Sequence, residues 1–226
     1  RYHSDEGAAA VFEFVEACVA LYETKQQHPS DDVMSAWLAA EAEGLRDGSE
    51  FGLDQIISDC LLLLDGGAET TRTVIARTML ELTSRPDQWE TLQGGADLEV
   101  AIEEFIRYVT PIHNMCRVAT DSYVVGGETI QPGQQVVLMY SSANRDPAYF
   151  VDPEAMDVTR DPNHHIAFGF GTHFCLGASL ARLELRIFFE ELLERVASFE
   201  LAGEPVEMPN AFVYGLAKAP MVLHPS

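Results

Sequence analysis

Residues 164–177 read His-His-Ile-Ala-Phe-Gly-Phe-Gly-Thr-His-Phe-Cys-Leu-Gly, a stretch rich in glycine and aromatic residues that ends around Cys175. The residues that follow repeat apolar side chains at helical spacing, with charged residues between them. We therefore expect Cys175 to lie at the N-terminus of a long helix, where the helix dipole favours a thiolate over a thiol. A thiolate is the form of cysteine that binds metal.

Two other interpretations of Cys175 are open. An isolated cysteine is most often a buried free thiol, here at a turn. A zinc site is the second alternative, built from three histidines and this cysteine (His164, His165, His173 and Cys175). Its spacing lacks the Cys-x-x-Cys or His-x-x-x-His pairs that are typical of structural zinc, which makes it the less favoured of the two.

The segment from Phe168 to Gly177 resembles the haem-binding loop of the cytochrome P-450 superfamily, the haem-thiolate monooxygenases. Phenylalanine stands seven residues before the cysteine, and glycine stands two residues after it. The resemblance implies that Cys175 is the axial ligand to the iron of a haem b. It also implies that Phe168, Gly169, Gly171 and Gly177 bind the cofactor, since glycine lets the backbone approach a flat ligand closely.

Composition limits the other function classes. The chain has 226 residues, of which 47% are hydrophobic, and its formal charge of −22 argues against nucleic acid or an anionic membrane as a partner. The chain contains no apolar run of membrane-spanning length, and it begins at Arg1 without a signal-like segment. Four cysteines without short spacing predict reduced thiols and a cytoplasmic location.

A long helix is predicted over residues 53–83. Residues 56–64 are apolar on nearly all sides, so we expect the helix to run through the interior. Two glycines at its centre, Gly66 and Gly67, cost about 2 kcal/mol of helix propensity, which indicates a functional reason for them. Thr70 stands four residues after Gly66 and could bond its carbonyl.

The centre of that helix, Asp-Gly-Gly-Ala-Glu-Thr-Thr at 65–71, resembles the oxygen-binding groove of the same superfamily. The resemblance implies that Thr70 hydrogen-bonds the bound oxygen and that Glu69 relays protons to it. It places Asp65 and Gly66 beside the substrate, although family members usually carry an apolar residue where Asp65 stands. The alternative is an ordinary helix with an exposed Glu and a Thr.

A second helix with a recognisable pattern is predicted over residues 98–109. It places Glu104 and Arg107 three residues apart on one face, close enough to pair. This spacing resembles the Glu-x-x-Arg element of the superfamily, in which the pair is structural. A downstream arginine usually joins it, and the resemblance assigns that part to Arg160.

The same resemblance assigns the substrate pocket and the haem propionates. The pocket would be lined from two directions, by residues after the Glu-x-x-Arg helix and by residues of a C-terminal hairpin (Ile112, His113 and Asn114; Phe212 and Val213). Arg117 and His173 would bind the two propionates, because buried carboxylates need charge-assisted donors.

The predicted fold is mainly α with small antiparallel β-sheets, the C-terminal portion of a single cytochrome P-450 domain, and we expect the N-terminal helices of that fold to lie outside this sequence. Its expected parts are a long central helix (53–83), the Glu-x-x-Arg helix (98–109), a β-rich and meander region (112–163), the haem-thiolate loop (164–177), the last long helix (176–197) and a C-terminal hairpin (199–226).

The resemblance implies a monooxygenase that uses O2 to hydroxylate a C–H bond of a hydrophobic small molecule, with electrons from NAD(P)H through ferredoxin reductase and ferredoxin. Residues 114–118, 167–177 and 181–185 resemble actinobacterial enzymes that oxidise sterol side chains or fatty-acyl tails. Arg182 and Arg186, four residues apart, are expected to form a positive patch for the acidic ferredoxin. The alternative is a truncated module that binds haem or docks a partner without turnover.

Overall fold

Helices account for more residues than strands in the computed structural model, which describes residues 5–43 and 52–226. The chain divides into two compact units, residues 1–66 and residues 67–226. The long helix α3 (Leu53–Thr83) contributes its first half to one unit and its second half to the other.

The first unit contains α1 (Asp5–Gln27), α2 (Val33–Glu43) and the start of α3. Asp32 caps α2 by accepting the backbone N–H of Ser35 at 2.8 Å, which satisfies one of the unpaired donors of the first turn. Cys18 of α1 is buried and neighbours Cys60 of α3, and burial together with this second thiol raises the pKa of Cys60 to about 11. All four cysteines are free thiols, as predicted.

Helix α3 runs without interruption over the predicted residues, including the two glycines at its centre. The expectation that its apolar first half is buried is wrong for most of that stretch. Ile56 is fully buried, but Leu61, Leu62, Leu63 and Leu64 are 42–69% exposed. An apolar surface is buried only where another element packs against it, and these leucines are left open by the described residues.

The second unit has one hydrophobic core. It forms between the end of α3, α4 (Pro86–Gln93), α5 (Leu98–Val109) and a late helix, α7 (Ala178–Arg195), with the short α6 (Tyr140–Ala143) outside it. Phe105 of α5 packs on Phe189 of α7 with ring centroids 4.7 Å apart, and both side chains are fully buried. Each buried ring of this kind stabilises the fold by about 1.5–3 kcal/mol.

Short strands form four antiparallel two-stranded sheets among the described residues. Gly126 and Gly127, both at positive φ, make the two-residue turn that joins the second and third strands. The predicted class, mainly α with small antiparallel sheets, is confirmed. The pairs are β1 (Asn114–Val118) with β4 (Gln135–Met139), β2 (Tyr123–Val125) with β3 (Glu128–Ile130), β5 (Val196–Leu201) with β8 (Met221–Pro225), and β6 (Val206–Glu207) with β7 (Leu216–Lys218).

The last long helix is shorter than the predicted 176–197. It begins at Ala178, with Gly177 as its N-cap, and it ends at Arg195 because Val196 is already extended and paired in a strand. Between Asn144 and Phe170 the described chain contains no helix or strand. None of the described helices is both long and apolar enough to cross a lipid bilayer.

Candidate functional site

The loop before Cys175 closes on itself through its own backbone. The N–H of Cys175 donates to the carbonyl of Phe168 at 2.9 Å, and the N–H of Phe174 donates to the carbonyl of Gly171 at 3.0 Å. Gly169 and Gly171 have φ values of 73° and 72°, in the left-handed region that other residues rarely adopt. The glycines of this stretch are therefore required by the turn that presents Cys175.

Cys175 is exposed and lies just ahead of α7, whose first residue, Ala178, donates its N–H to the cysteine carbonyl at 3.3 Å. The buried-thiol interpretation is therefore wrong. The neighbouring apolar side chains are also exposed: 89% for Phe170, 52% for Phe174 and 91% for Leu176. The loop thus presents one thiol within an apolar surface.

Zinc receives no support from the positions of the histidines. Across residues 5–43 and 52–226, no three His, Cys, Asp or Glu side chains converge on a metal position. The side chain of His165 is only 3% exposed and points to Glu103, not to Cys175. His164 and His173 are exposed.

Behind the loop, one carboxylate joins two elements that the sequence did not connect. Glu103 of α5 accepts from Arg182 Nε at 2.6 Å, from Arg182 Nη2 at 2.8 Å and from His165 Nε2 at 3.0 Å. The N–H of Ala167 lies 3.3 Å from the other ring nitrogen of His165, Nδ1, so both nitrogens of the ring have a neighbour. The ring of Phe168 lies between the two partners of Glu103, with Arg182 Cζ 4.6 Å from its centroid.

Electrostatics favour the charged form of Glu103. Burial opposes ionisation, but the hydrogen bonds and charges of Arg182 and His165 outweigh it and lower the pKa of Glu103 to about 2. This pairing corrects the expected positive patch, because Arg182 is neutralised by Glu103. Arg186 likewise lies 3.6 Å from Glu99. Sequence reasoning missed Glu103, although it directly precedes the Glu-x-x-Arg glutamate, and it considered His165 only as a ligand of the alternative zinc site.

The structure brings Glu104, Arg107 and Arg160 together. Arg107 donates to the two oxygens of Glu104 at 2.7 and 2.8 Å, and Arg160 donates to the same carboxylate at 3.1 Å. The side chains of Glu104 and Arg107 are 0% exposed. Buried charges cost several kcal/mol each unless they are paired and hydrogen-bonded, and this group meets that requirement.

The same pair holds the meander in place. Glu104 accepts the N–H of Asp157 at 2.9 Å and the side-chain amide of Asn163 at 3.0 Å. Arg107 donates to three carbonyls of that stretch, those of Asn144, Pro153 and Ala155, at 2.8, 2.9 and 3.1 Å. The segment that leads into the cysteine loop is therefore fastened to α5.

The residues expected to form the oxygen-binding groove lie on α3. Glu69 and Thr70 are half-buried in the second unit, and Glu69 pairs with Arg72 one turn further along. Asp65, in the first unit, is exposed. A Cβ added at Gly66 or at its neighbour would meet nothing within 4 Å. At Gly66 and Gly67 the described residues therefore leave space beside the helix for a side chain or a ligand.

The expected substrate-side residues of the second unit come together from two distant parts of the chain. Ile112 forms an antiparallel bridge with Val213, and the N–H of His113 donates to the carbonyl of Phe212 at 2.9 Å. The side chain of Asn114 donates to the Ala211 carbonyl at 2.9 Å. Burial and the charge of Arg77 lower the pKa of His113, which favours its neutral form.

The two expected propionate partners, Arg117 and His173, are not in contact with each other. Arg117 is half-buried on β1 and donates to the carbonyl of Cys116 at 2.9 Å, and it forms no ion pair with any described residue. His173 is exposed in the single 3-10 turn between Gly171 and Cys175. Both side chains are therefore available to an anionic group.

Known proteins of one family match this chain. The family model for cytochrome P450 matches residues 88–221. The steroid C26-monooxygenase of Mycolicibacterium smegmatis is 40% identical over 235 residues, which cover 99% of this chain and 57% of that relative. The linalool 8-monooxygenase of Pseudomonas putida is 37% identical over 226 residues, which cover 100% of this chain and 55% of that relative.

The fold agrees with the sequence match. The crystal structure of CYP109E1 from Bacillus megaterium in complex with corticosterone matches with a TM-score of 0.83 and 34% identity, covering 95% of this chain and 57% of that chain. This chain thus spans a little over half the length of the relatives that it matches.

Proposed function

This chain belongs to the cytochrome P450 family, and from that membership we propose that the whole protein is a haem-thiolate monooxygenase. The observation that carries the proposal is the exposed thiol of Cys175, presented by a loop that its own backbone hydrogen bonds close. An exposed thiol ahead of a helix is accessible to a metal ion carried by a flat cofactor.

The residues of the loop fit a haem. Cys175 would bind the iron, and the exposed rings of Phe170 and Phe174 would be covered by an apolar macrocycle. At Gly171 an added Cβ would meet nothing within 4 Å, so the backbone there is open to a ligand. Phe168, Gly169 and Gly177 would complete the cradle, and the unpaired charge of Arg117, together with His173, would bind the propionates.

When bound, the haem supplies the reaction with dioxygen, and a thiolate ligand favours cleavage of the O–O bond. The protein's part is proton delivery. We assign Thr70 the role of placing a proton donor beside the oxygen, and Glu69 the role of passing protons from solvent. The half-exposed carboxylate of Glu69, held by Arg72, supports this assignment because it can exchange protons with water.

The substrate that we propose is a hydrophobic small molecule, with a sterol side chain or a fatty-acyl chain as the first candidates. The named activity of the mycobacterial relative and the corticosterone complex of CYP109E1 favour the sterol. Ile112, His113 and Phe212 would line the pocket, with the main-chain contact between the two segments as its support. Electrons would come from NAD(P)H through ferredoxin reductase and ferredoxin.

The test is the absorption spectrum of the whole protein after reduction and exposure to carbon monoxide. We expect the red-shifted Soret band of a thiolate-ligated haem. A histidine-type spectrum, or a protein that binds no haem, would overturn the proposal. A thiolate spectrum with no NAD(P)H-dependent product from a panel of sterols and fatty acids would instead favour the alternative, a haem-binding module without turnover.

A further inference from the structure

The side chain of Arg77 is buried against a distant loop of the chain, near Tyr214 and Gly215. Arg77 lies in the second half of α3, and its side chain is 4% exposed. Its Nε donates to the carbonyl of Tyr214 at 2.8 Å, and its Nη2 donates to the carbonyl of Gly215 at 3.1 Å. It also forms a forked ion pair with Glu207, with Nη1 3.0 Å from Oε1.

A ring contact adds to these hydrogen bonds. The Cζ atom of Arg77 lies 3.4 Å from the centroid of the Tyr214 ring, a distance at which the ring's negative face attracts a cation. The Tyr214 ring in turn lies 4.9 Å from the ring of His113. Arg77, Tyr214 and His113 thus form a continuous contact from the helix to the segment after Pro111.

The loop held by Arg77 spans residues 207–215, from the last residue of β6 to the residue before β7. Among the described residues, all hydrogen-bond partners of its guanidinium belong to this loop. The loop also bonds the segment 111–114, since the N–H of Tyr214 donates to the Pro111 carbonyl at 2.9 Å. Both ends of the loop are therefore held by helix α3, and the residues near its second end are also held by an extended segment.

A buried arginine is costly unless its donors are satisfied, so its presence here calls for a physical role. Without the guanidinium, the Tyr214 carbonyl would lose its donor, the Gly215 carbonyl would keep only the N–H of Met208, and the carboxylate of Glu207 would lose its partner. No other donor in the described part of the chain bonds the carbonyl of Tyr214. Arg77 therefore restrains the carbonyl of Tyr214, while the N–H of the same residue is held by Pro111.

We propose that Arg77 is a positioning residue that holds the 207–215 loop against residues 111–114 and so sets the wall of the substrate cavity. The link to substrate rests on the proposed function, which assigns Phe212, Val213 and Ile112 to that wall. Arg77 stands seven residues after Thr70, hence on the same side of α3. One helix would then carry both the proton-delivering hydroxyl and the anchor of the cavity wall.

The first experiment measures amide hydrogen exchange in the whole protein for Arg77→Met and Arg77→Lys. Methionine removes all the donors, and lysine keeps the charge but cannot form the fork. For both variants we expect the amides of His113, Tyr214 and Met208 to exchange about tenfold faster or more, the factor for one lost hydrogen bond to a charged group. The amides of Phe174 and Cys175 should keep their rates.

Two controls separate positioning from general destabilisation. Arg145→Met removes a guanidinium with matching contacts, namely the carbonyl and ring of Tyr108 and the carboxylate of Glu154, and it should leave the two segments unchanged. Glu207→Gln keeps the carbonyl bonds of Arg77 and should have little effect, because the Glu207 side chain is 60% exposed. Unchanged exchange at His113 and Tyr214 in both Arg77 variants would overturn the proposal.

The second experiment tests the link to the cavity, using two azoles that bind haem iron from the substrate side. Imidazole is too small to contact the cavity wall formed by the 207–215 loop. The phenyl group of 4-phenylimidazole is long enough to contact it. In Arg77→Lys we expect an unchanged Kd for imidazole and a Kd for 4-phenylimidazole raised about tenfold. Equal affinities with altered exchange would show that the loop is held by Arg77 but does not bound the cavity. Failure of the wild type to bind haem would count against the proposed function, while the exchange data would still decide the positioning role.

Discussion

Arg182 and Glu103 form a two-pronged ion pair between α7 and α5, with N–O distances of 2.6 and 2.8 Å. The pair lies directly behind the loop that presents Cys175, and Arg182 also covers the ring of Phe168. The cation nearest the start of α7 is therefore already compensated. Its effect on an approaching protein depends on Glu103 as much as on Arg182.

Docking of an acidic electron donor should be sensitive to Glu103. In Glu103→Gln the charge of Arg182 is no longer compensated, so we expect severalfold faster association with a ferredoxin at low ionic strength, and rates that converge with the wild type at high salt. Stopped-flow reduction across a salt series measures this. Glu99→Gln, beside Arg186, is the matched control for a more exposed pair, and an unchanged salt dependence in Glu103→Gln would exclude docking near Arg182.

The depressed pKa of Glu103 also predicts how stability varies with pH. A carboxylate whose pKa falls from 4.5 to about 2 on folding stabilises the folded chain above pH 4.5, and this contribution is lost as the pH falls toward 2. The difference in unfolding free energy between the wild type and Glu103→Gln should therefore be constant from about pH 7 to 5 and shrink below about pH 4. Urea titrations check this, and a difference that stays constant into acid would contradict it.

The buried pair of Glu104 and Arg107 should be indispensable for folding. Removing one partner leaves an uncompensated buried charge, so Glu104→Ala is expected to cost about 3–5 kcal/mol, much of the stability of a typical domain. Denaturant unfolding measures the loss. Glu154→Ala breaks an ion pair with a 76% exposed carboxylate and should cost about 1 kcal/mol or less. Similar costs for the two variants would show that Glu104 acts only as a surface partner.

Cys175 is the residue on which the cofactor assignment depends. Cys175→His should retain some haem but lose the thiolate spectrum and the oxygenation of substrate, because imidazole donates less electron density to the iron. The absorption spectrum of the reduced, carbon monoxide-treated variant measures this. Cys116→Ser removes another exposed thiol, on β1, and should leave the spectrum as it is. An unaltered spectrum in Cys175→His would exclude this cysteine as the ligand.

Substitutions of Thr70 and Glu69 should impair the reaction in different ways. Thr70→Ala keeps the helix, since alanine is the better helix former, and removes one hydroxyl. We expect normal NAD(P)H consumption with the reducing equivalents diverted to hydrogen peroxide. Glu69→Gln should slow the whole cycle because it interrupts the proton supply. The peroxide released per NAD(P)H consumed separates the two, and tightly coupled turnover in Thr70→Ala would mean that another group places the proton.

Much of the local structure was decided by residue order. The bounds of α3 and α5 agree with the sequence prediction because the spacing of apolar residues sets the face on which a helix can pack. The contact between Glu104 and Arg107 is also local, since three residues separate them on one helix. Glycines at 169 and 171 marked the turn before Cys175, because few other residues adopt its dihedrals.

Only the tertiary structure decided which distant side chains meet. Arg77 and Tyr214 are 137 residues apart, and Arg182 and Glu103 are 79 residues apart. A sequence pattern shows what kind of neighbour a helix face needs, but not which residue supplies it, because contact free energy depends on separation in space. The exposed leucines 61–64 follow the same rule. The sequence shows that they are apolar, while their burial depends on what packs against them.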